Sequence, residues 1–220
     1  MNAQVAIAGC DDLDLAGLLC SRLCHDLLSP IGALGNGLEL LAGETDPGMR
    51  QGCFELLEQS ARTSSARLQF YRLAFGGSGS VAPPVPLAEA RAALDGLAAC
   101  ARRVEVTWAV SGETLPRSAV KAMLSFALFG IEALVRGGTL EVGAEALDGT
   151  CEIVVRAAGD RLAFDPAIGQ ALNGELSVEA ITSRTAPAVM LHRLASGAGG
   201  ELQHVLDETA LVLGAVLPAG

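Results

Sequence analysis

A histidine followed by an aspartate, with a proline five positions after the histidine, is the part of this sequence that points most directly to chemistry. These residues are His25, Asp26 and Pro30. A neutral imidazole has a free ring lone pair and can accept a phosphoryl group. The Asp26 carboxylate can accept a hydrogen bond from the other ring nitrogen, which would fix the tautomer and stabilise the imidazolium formed on attack. We therefore predict that His25 is a nucleophile and that Asp26 orients it.

The neighbouring residues at helical spacing extend this site. Ser29 lies one turn after His25 and is predicted to bond a phosphoryl oxygen or a water molecule, which makes it the third predicted catalytic residue. Arg22 lies one turn before His25 and is predicted to pair with phosphate charge. Gly32 and Asn36 continue this face with little bulk. Pro30 lacks the amide that would bond to the Asp26 carbonyl, so a bend is predicted just below the histidine.

Two helices are predicted to carry the site. The first has apolar or small residues three and four positions apart, and His25 falls about 200° round the helix from Leu23, facing away from this stripe. The stripe consists of Cys20, Leu23, Leu27, Ile31, Leu34, Leu38 and Leu41. After a turn at residues 46–48, the same spacing returns in Cys53, Leu57, Ser60, Ser64, Leu68, Tyr71 and Phe75. The pattern predicts a helical hairpin.

A hairpin of two helices leaves much of its apolar stripe facing water. Docking against a second copy as a four-helix bundle removes that exposure, so we predict a homodimer. Small residues in the middle of the second helix, namely Ser60, Ala61, Ser64 and Ser65, have two interpretations. They leave room for a docked partner, or they only allow the helices to pack closely.

A glycine- and serine-rich stretch followed by prolines predicts a linker at residues 79–86, between a hairpin domain at 1–78 and a second domain at 87–220. In the second domain helical and strand periods alternate. Helices are predicted at 88–101, 118–135 and 187–198, and strands at 104–110, 139–143, 151–156, 201–206 and 211–217. The expected fold class is α+β: a helical hairpin followed by an α/β sandwich in which helices cover one face of a mostly antiparallel sheet.

An exposed helical His-Asp pair alone is usually an ordinary surface feature, but the spacing to Pro30 is more specific. Residues 24–31 (CHDLLSPI) resemble the H-box of sensor histidine kinases, and residues 85–220 resemble in outline the ATP-binding domain that follows it. Gly137, Gly138 and Thr139 resemble the turn that follows the kinase asparagine-box helix. In that register Ser125 and Phe129 occupy the positions that hold magnesium and phosphates. Residues 157–161 (AAGDR) lack the adenine-reading DxGxG pattern, and residues 185–188 (TAPA) lack the glycines of a phosphate loop.

An H-box hairpin joined to a degenerate kinase-like domain resembles the ChpT family of alphaproteobacterial histidine phosphotransferases. The resemblance implies a dimer that passes phosphoryl groups through His25, from the receiver domain of a CckA-like hybrid histidine kinase to CtrA-like and CpdR-like response regulators. It implies no bound cofactor, with Mg²⁺ supplied by the partner receiver, and makes Arg22, Gly32 and Asn36 candidates for receiver docking. Transfer would be in line between a receiver aspartate and the imidazole.

Two rival functions remain open. A true sensor-kinase core would bind nucleotide and phosphorylate itself, whereas a non-catalytic adaptor would use the hairpin only to dock receivers. A phosphatase role, with Ser29 placing a water molecule, is compatible with phosphotransfer.

Composition limits the remaining possibilities for partners, location and metal sites. Fifteen basic residues against twenty-five acidic ones give a formal charge of −10, which disfavours a nucleic acid partner. No apolar run reaches the roughly 20 residues that span a bilayer, and no secretion signal is recognised, so a cytoplasmic protein is expected. The six cysteines form no CxxC pair and are expected to be reduced and mostly buried. His192 and His204 lack ligands at metal spacing and are interpreted as structural or surface residues.

Overall fold

A computed structural model describes residues 10–77, 83–101 and 103–219. Two long helices come first, α1 (Asp12–Gly43) and α2 (Pro47–Ala74). Each begins after an aspartate whose side chain accepts a hydrogen bond from the first turn, at 2.7 Å from the Asp14 amide to Asp11 and at 2.9 Å from the Met49 amide to Asp46. The two helices pack against each other as the predicted hairpin.

The apolar stripe of α1 is only partly covered within one chain. Leu27 is buried, and Leu23 and Leu34 are half-buried. Ile31 and Leu38, from the same stripe, remain 52% and 58% exposed. The hairpin therefore keeps an uncovered apolar surface after folding.

The rest of the chain forms a sheet with helices on one face. Its elements in chain order are β1 (Val85–Pro86), α3 (Leu87–Cys100), β2 (Val104–Val110), β3 (Thr114–Leu115), α4 (Arg117–Ala133), β4 (Gly138–Leu147), β5 (Thr150–Ala158), α5 (Pro166–Asn173), α6 (Ala186–Ala198), β6 (Glu201–Leu206) and β7 (Ala210–Pro218). The five-stranded sheet has the order β2-β4-β5-β7-β6. Only the β2–β4 pair is parallel among the described pairings of this sheet, and the others are antiparallel, as predicted.

Helix α4 is apolar on nearly all sides because it packs between the sheet and other helices. Phe126 faces a core that also contains Leu94 of α3 and the end of α2, where Phe70 and Tyr71 are at most 2% exposed. The hairpin and the sheet domain thus share one continuous hydrophobic core. This contact fixes where α1 lies relative to α4.

The turn between α4 and β4 needs glycine at two successive positions. Gly137 and Gly138 have φ of 88° and 145°, which L side chains rarely adopt. A Cβ on Gly138 would lie 2.2 Å from the Ala158 carbonyl oxygen, so a side chain cannot be accommodated there. The Gly-Gly-Thr pattern therefore reflects a close approach of α4, β4 and β5.

Two features, helix α5 and strand β1, differ from the sequence predictions or extend beyond them. Helix α5 was not predicted, although Asp165 caps it, Pro166 opens it and Gly174 ends it in the left-handed conformation. Of the predicted linker, residues 79–82 lie outside the described residues, and Val85–Pro86 form β1, which pairs with β3. Within the described ranges, none of the helices combines the length and apolarity required to cross a membrane.

Candidate active site

His25 lies on the exposed side of α1, as its helical phase predicts. Its side chain is 82% exposed, whereas that of the adjacent Asp26 is 16% exposed. The His25 Nδ1 atom lies 3.0 Å from Asp26 Oδ1. An accessible imidazole is thus held by a largely buried carboxylate.

Asp26 is held by donors from two helices. Its Oδ2 atom accepts hydrogen bonds from Arg22 Nε at 2.8 Å and from the Tyr71 hydroxyl, which leaves Oδ1 for His25. Burial raises the pKa of Asp26, but the hydrogen bonds from Tyr71, Arg22 and His25 outweigh burial and hold this pKa below its ordinary value. Asp26 is therefore an ionised acceptor at neutral pH. The proton of the Asp26–His25 hydrogen bond must then come from Nδ1, and the lone pair of Nε2 faces solvent.

Pro30 lies inside α1, which continues through it from Asp12 to Gly43. The Asp26 carbonyl lacks its helical donor because proline has no amide hydrogen. The Arg67 guanidinium of α2 donates to this carbonyl oxygen instead. The predicted bend stays a prediction, but the vacated carbonyl has a partner that also ties the two helices together at the level of His25.

Arg22 does not lie on the exposed face with His25, which corrects the sequence prediction. It is 8% exposed, and its guanidinium donates to Asp26 and to Glu132 at the end of α4. Burial lowers the pKa of Arg22, but the carboxylates of Glu132 and Asp26 raise it above its ordinary value overall. Arg22 is engaged in this internal ion pair and does not point toward a docked phosphate.

The other predicted site residues are on the surface of α1. Ser29, Gly32 and Asn36 are exposed, on the same helix as His25. Their catalytic and docking roles stay predictions. Ser60 and Ser64 of α2 are buried, with Ser64 Oγ donating to the Ser60 carbonyl at 2.9 Å, which favours close helix packing for these two.

Sequence reasoning missed three residues that surround Asp26: Arg67, Tyr71 and Glu132. A weak signal existed for two of them. Tyr71 is the single tyrosine of the chain and lies in the apolar stripe of α2, and Glu132 interrupts the apolar run of α4. A buried tyrosine hydroxyl and a partly buried carboxylate both require partners. Nothing in the local sequence marks Arg67.

The two kinase-like positions of α4 are part of the core. Ser125 is fully buried and Phe129 is 1% exposed. Phe129 belongs to the hydrophobic core that also contains residues of the sheet, and Ser125 lies on the same buried helix. Neither side chain therefore reaches the protein surface. Among the described residues, no group of three or more histidine, cysteine or acidic side chains is arranged to hold a metal ion.

The cysteines are free thiols, but the prediction that most are buried is wrong. Cys10 and Cys151 are buried, Cys53 and Cys100 are half-buried, and the remaining two, Cys20 and Cys24, are exposed. The exposed pair lies on α1 close to His25, where the single chain leaves the helix surface uncovered.

Comparisons with known proteins identify relatives over nearly the whole chain. A family model described as the histidine phosphotransferase C-terminal domain matches residues 87–210. The chain is 36% identical over 187 residues to protein phosphotransferase ChpT of Brucella abortus (strain 2308), covering 85% of this chain and 88% of that protein. It also matches the 1.7 Å structure of a bacterial phosphotransferase, with a TM-score of 0.82 and 34% identity over 93% of this chain and 97% of that one.

A more distant structural match concerns the fold alone. The histidine kinase domain of the blue-light activated histidine kinase EL346 from Erythrobacter litoralis has a TM-score of 0.50 and 12% identity, covering 94% of this chain and 93% of that one. The hairpin and the sheet domain therefore have the arrangement of a histidine kinase core.

Proposed function

Because this chain belongs to the histidine phosphotransferase family, and is a phosphotransferase, we propose that it shuttles a phosphoryl group between receiver-domain aspartates through His25, without binding ATP. The donor is the receiver of a hybrid histidine kinase of the CckA type, and the acceptors are response regulators of the CtrA and CpdR types. The six free thiols suit a reducing compartment, so we place the reaction in the cytoplasm.

The observation that carries this proposal is the pairing of an exposed imidazole with a largely buried, ionised carboxylate. His25 is accessible to a docked protein on a rigid helix, and Asp26 accepts the Nδ1 proton at 3.0 Å. Nε2 is then the nucleophile. This arrangement accepts a phosphoryl group and needs no nucleotide pocket in the same chain.

The transfer is a displacement at phosphorus. The Nε2 lone pair forms the N–P bond while the bond between phosphorus and the aspartate oxygen breaks, and the donor aspartate leaves as a carboxylate. The positive charge that develops on the ring is stabilised by Asp26, which keeps the hydrogen bond to the Nδ1 proton. In the second half-reaction an acceptor aspartate attacks phosphorus and neutral His25 is regenerated. The receiver would supply Mg²⁺, whose charge would stabilise the transferring phosphoryl oxygens.

A receiver is the proposed phosphate source because positions that hold nucleotide in kinases are filled differently here. Ser125 and Phe129 are buried, and residues 157–161 and 185–188 lack the corresponding glycine patterns. The receiver would dock along exposed α1, where Ser29, Gly32 and Asn36 follow His25.

A relay with purified components tests this function. A hybrid-kinase receiver is labelled with radioactive phosphate by its own kinase, freed of ATP and mixed with this chain, and a second receiver is then added. We expect acid-labile, base-stable label on this chain, followed by its appearance on the second receiver. ATP and magnesium alone should give no label. Label from ATP alone would identify a kinase core, and receiver binding without any phosphohistidine would identify an adaptor.

We also propose that the chain acts as a homodimer, joined through the hairpin as a four-helix bundle. The hairpin leaves apolar side chains exposed on both helices, and this supports the dimer. Single exposed apolar residues are normal on a monomer, but a set of them on one hairpin is typical of an interaction surface. They include Leu28, Ile31 and Leu38 of α1 and Phe54, Leu56 and Leu68 of α2.

Replacing Leu38 with glutamate tests the dimer. A charge placed in an apolar interface is left without a partner, so we expect the Leu38→Glu protein to be monomeric by light scattering at concentrations where the wild type is dimeric. Leu147→Glu is the matched control, because Leu147 is 60% exposed in β4 and Leu38 is 58% exposed. A monomeric wild type, or an unchanged dimer in Leu38→Glu, would contradict the proposed interface.

A further inference from the structure

A chain of charged and polar side chains connects the C-terminal domain to His25. We propose that Glu132 and Tyr71 are positioning residues for phosphoryl transfer, and that through them the C-terminal domain holds the reactive histidine in its productive tautomer. The inference rests on the proposed function of His25, and it assigns the degenerate kinase-like domain a direct part in that reaction.

In the first step of this side-chain connection, the two oxygens of Asp26 have different hydrogen-bond partners. Oδ2 accepts from the Tyr71 hydroxyl and from Arg22 Nε, while Oδ1 lies 3.0 Å from His25 Nδ1. A carboxylate bonded on both oxygens cannot rotate freely. The side of Asp26 offered to the imidazole is therefore decided by Tyr71 and Arg22.

The second step is the link to α4. The Arg22 guanidinium donates through Nε to Asp26 and through a terminal nitrogen to Glu132, so one planar cation bridges two carboxylates 106 residues apart in sequence. Because the guanidinium is planar and its N–H groups have fixed directions, these two hydrogen bonds set its orientation. Glu132 therefore determines the position of Arg22, and Arg22 determines that of Asp26.

Burying charged side chains costs free energy unless every charge is paired. Arg22 and Tyr71 are 8% and 2% exposed, and the group borders a cavity of about 160 Å³ between the hairpin and the C-terminal domain. A buried ion pair is often no more stabilising than apolar residues of the same size. A buried network that touches the reactive histidine is better explained by orientation than by stability.

The charged and titratable groups that face Asp26 come from three helices. They are Arg22 and His25 of α1, Arg67 and Tyr71 of α2, and, through Arg22, Glu132 of α4. Removing the Tyr71 hydroxyl takes away a donor to the ionised form of Asp26. The pKa of Asp26 then rises, and the Asp26 carboxyl should titrate at a higher pH than in the wild type.

The experiment compares three variants of the full chain in the receiver relay. Glu132→Gln and Tyr71→Phe remove the proposed contacts. Glu89→Gln is the matched control, because Glu89 of α3 also pairs with a hairpin arginine, Arg72, at 2.7 Å, but has no contact with Asp26. Initial rates are measured at neutral pH with the same donor receiver, the ring nitrogens of His25 are followed by ¹⁵N NMR, and the Asp26 carboxyl is titrated by ¹³C NMR.

We expect Glu132→Gln and Tyr71→Phe each to slow transfer to the histidine about tenfold, the effect of losing one charge-assisted hydrogen bond. Both should shift His25 from the Nδ1–H form toward a tautomer mixture, and Tyr71→Phe should move the titration of the Asp26 carboxyl to higher pH. Glu89→Gln should match the wild type in all three measurements.

The outcomes separate this inference from the function on which it rests. Wild-type protein that never forms phosphohistidine would contradict the function itself. Wild-type transfer together with an unchanged rate, Asp26 titration and His25 tautomer in folded Glu132→Gln and Tyr71→Phe would overturn the positioning role alone. Should Glu132→Gln fail to fold, Tyr71→Phe decides, since it keeps the aromatic ring that stacks on Phe75 with a centroid distance of 5.0 Å.

Discussion

Replacing His25 with glutamine is expected to abolish transfer of phosphate from the donor receiver, with no detectable phosphohistidine on the chain. Glutamine has no lone pair on nitrogen that can attack phosphorus, whereas it keeps the polarity of the site. The His25 side chain is 82% exposed, so its loss should change the free energy of unfolding by less than about 0.5 kcal/mol. The measurement is label on the chain after mixing with a phosphorylated receiver, beside a urea denaturation curve.

The other histidines supply the control for this result. The chain contains three histidines, and His204 on β6 is half-buried beside Phe164, with a ring centroid distance of 5.8 Å. His204→Gln should be labelled at the wild-type rate. Label that persists in His25→Gln and disappears in His204→Gln would place the phosphoacceptor on the sheet domain and refute the proposed site.

Replacing Asp26 with asparagine should slow the formation of phosphohistidine by roughly 10²-fold or more, in the range for groups that assist proton placement. The amide cannot stabilise the positive charge that develops on the ring, and its NH₂ group can donate to Nδ1, which favours the unproductive tautomer. The variant also leaves Arg22 with one carboxylate instead of two. We therefore expect a loss of about 1–3 kcal/mol in the free energy of unfolding.

The contribution of Asp26 to the free energy of unfolding depends on pH. The pKa of Asp26 is below its ordinary value in the folded protein, so the stabilisation it provides is present at neutral pH and is lost as the pH falls through the folded-state pKa. The difference in unfolding free energy between wild type and Asp26→Asn should therefore shrink in acid.

Asp95 provides a matched control for Asp26. It also pairs with an arginine four residues earlier, Arg91, at 3.6 Å, and accepts a hydrogen bond from Trp108 at 3.0 Å. Asp95→Asn should transfer phosphate at the wild-type rate. Equal rates in wild type and Asp26→Asn would show that the carboxylate beside His25 has no part in the reaction.

Most of the secondary structure could be predicted because each element carries its own local signal. Strand β2 was predicted at its observed bounds from its alternating pattern, and α4 within two residues from its continuous apolar run. Helix α5 was missed because it has only eight residues, too few for a clear apolar period, although its end signals were present.

The prediction for Arg22 shows where local reasoning fails. On a helix Arg22 lies 60° from His25 and about 40° from Asp26, so its long side chain can turn either to the exposed face or inward. The inward direction is favoured by Glu132, which is 110 residues away in sequence. No periodicity in α1 contains that information.

The sequence alone determined the reactive pair and its exposure. His25, Asp26 and Pro30 lie within two turns of one helix, and helical geometry fixes how residues so close in sequence are arranged. Only the tertiary structure decided what holds Asp26, because Arg67 and Tyr71 are 41 and 45 residues from it and Glu132 acts through Arg22. The packing of α2 and α4 against α1 brings these side chains together, and that packing depends on the whole core.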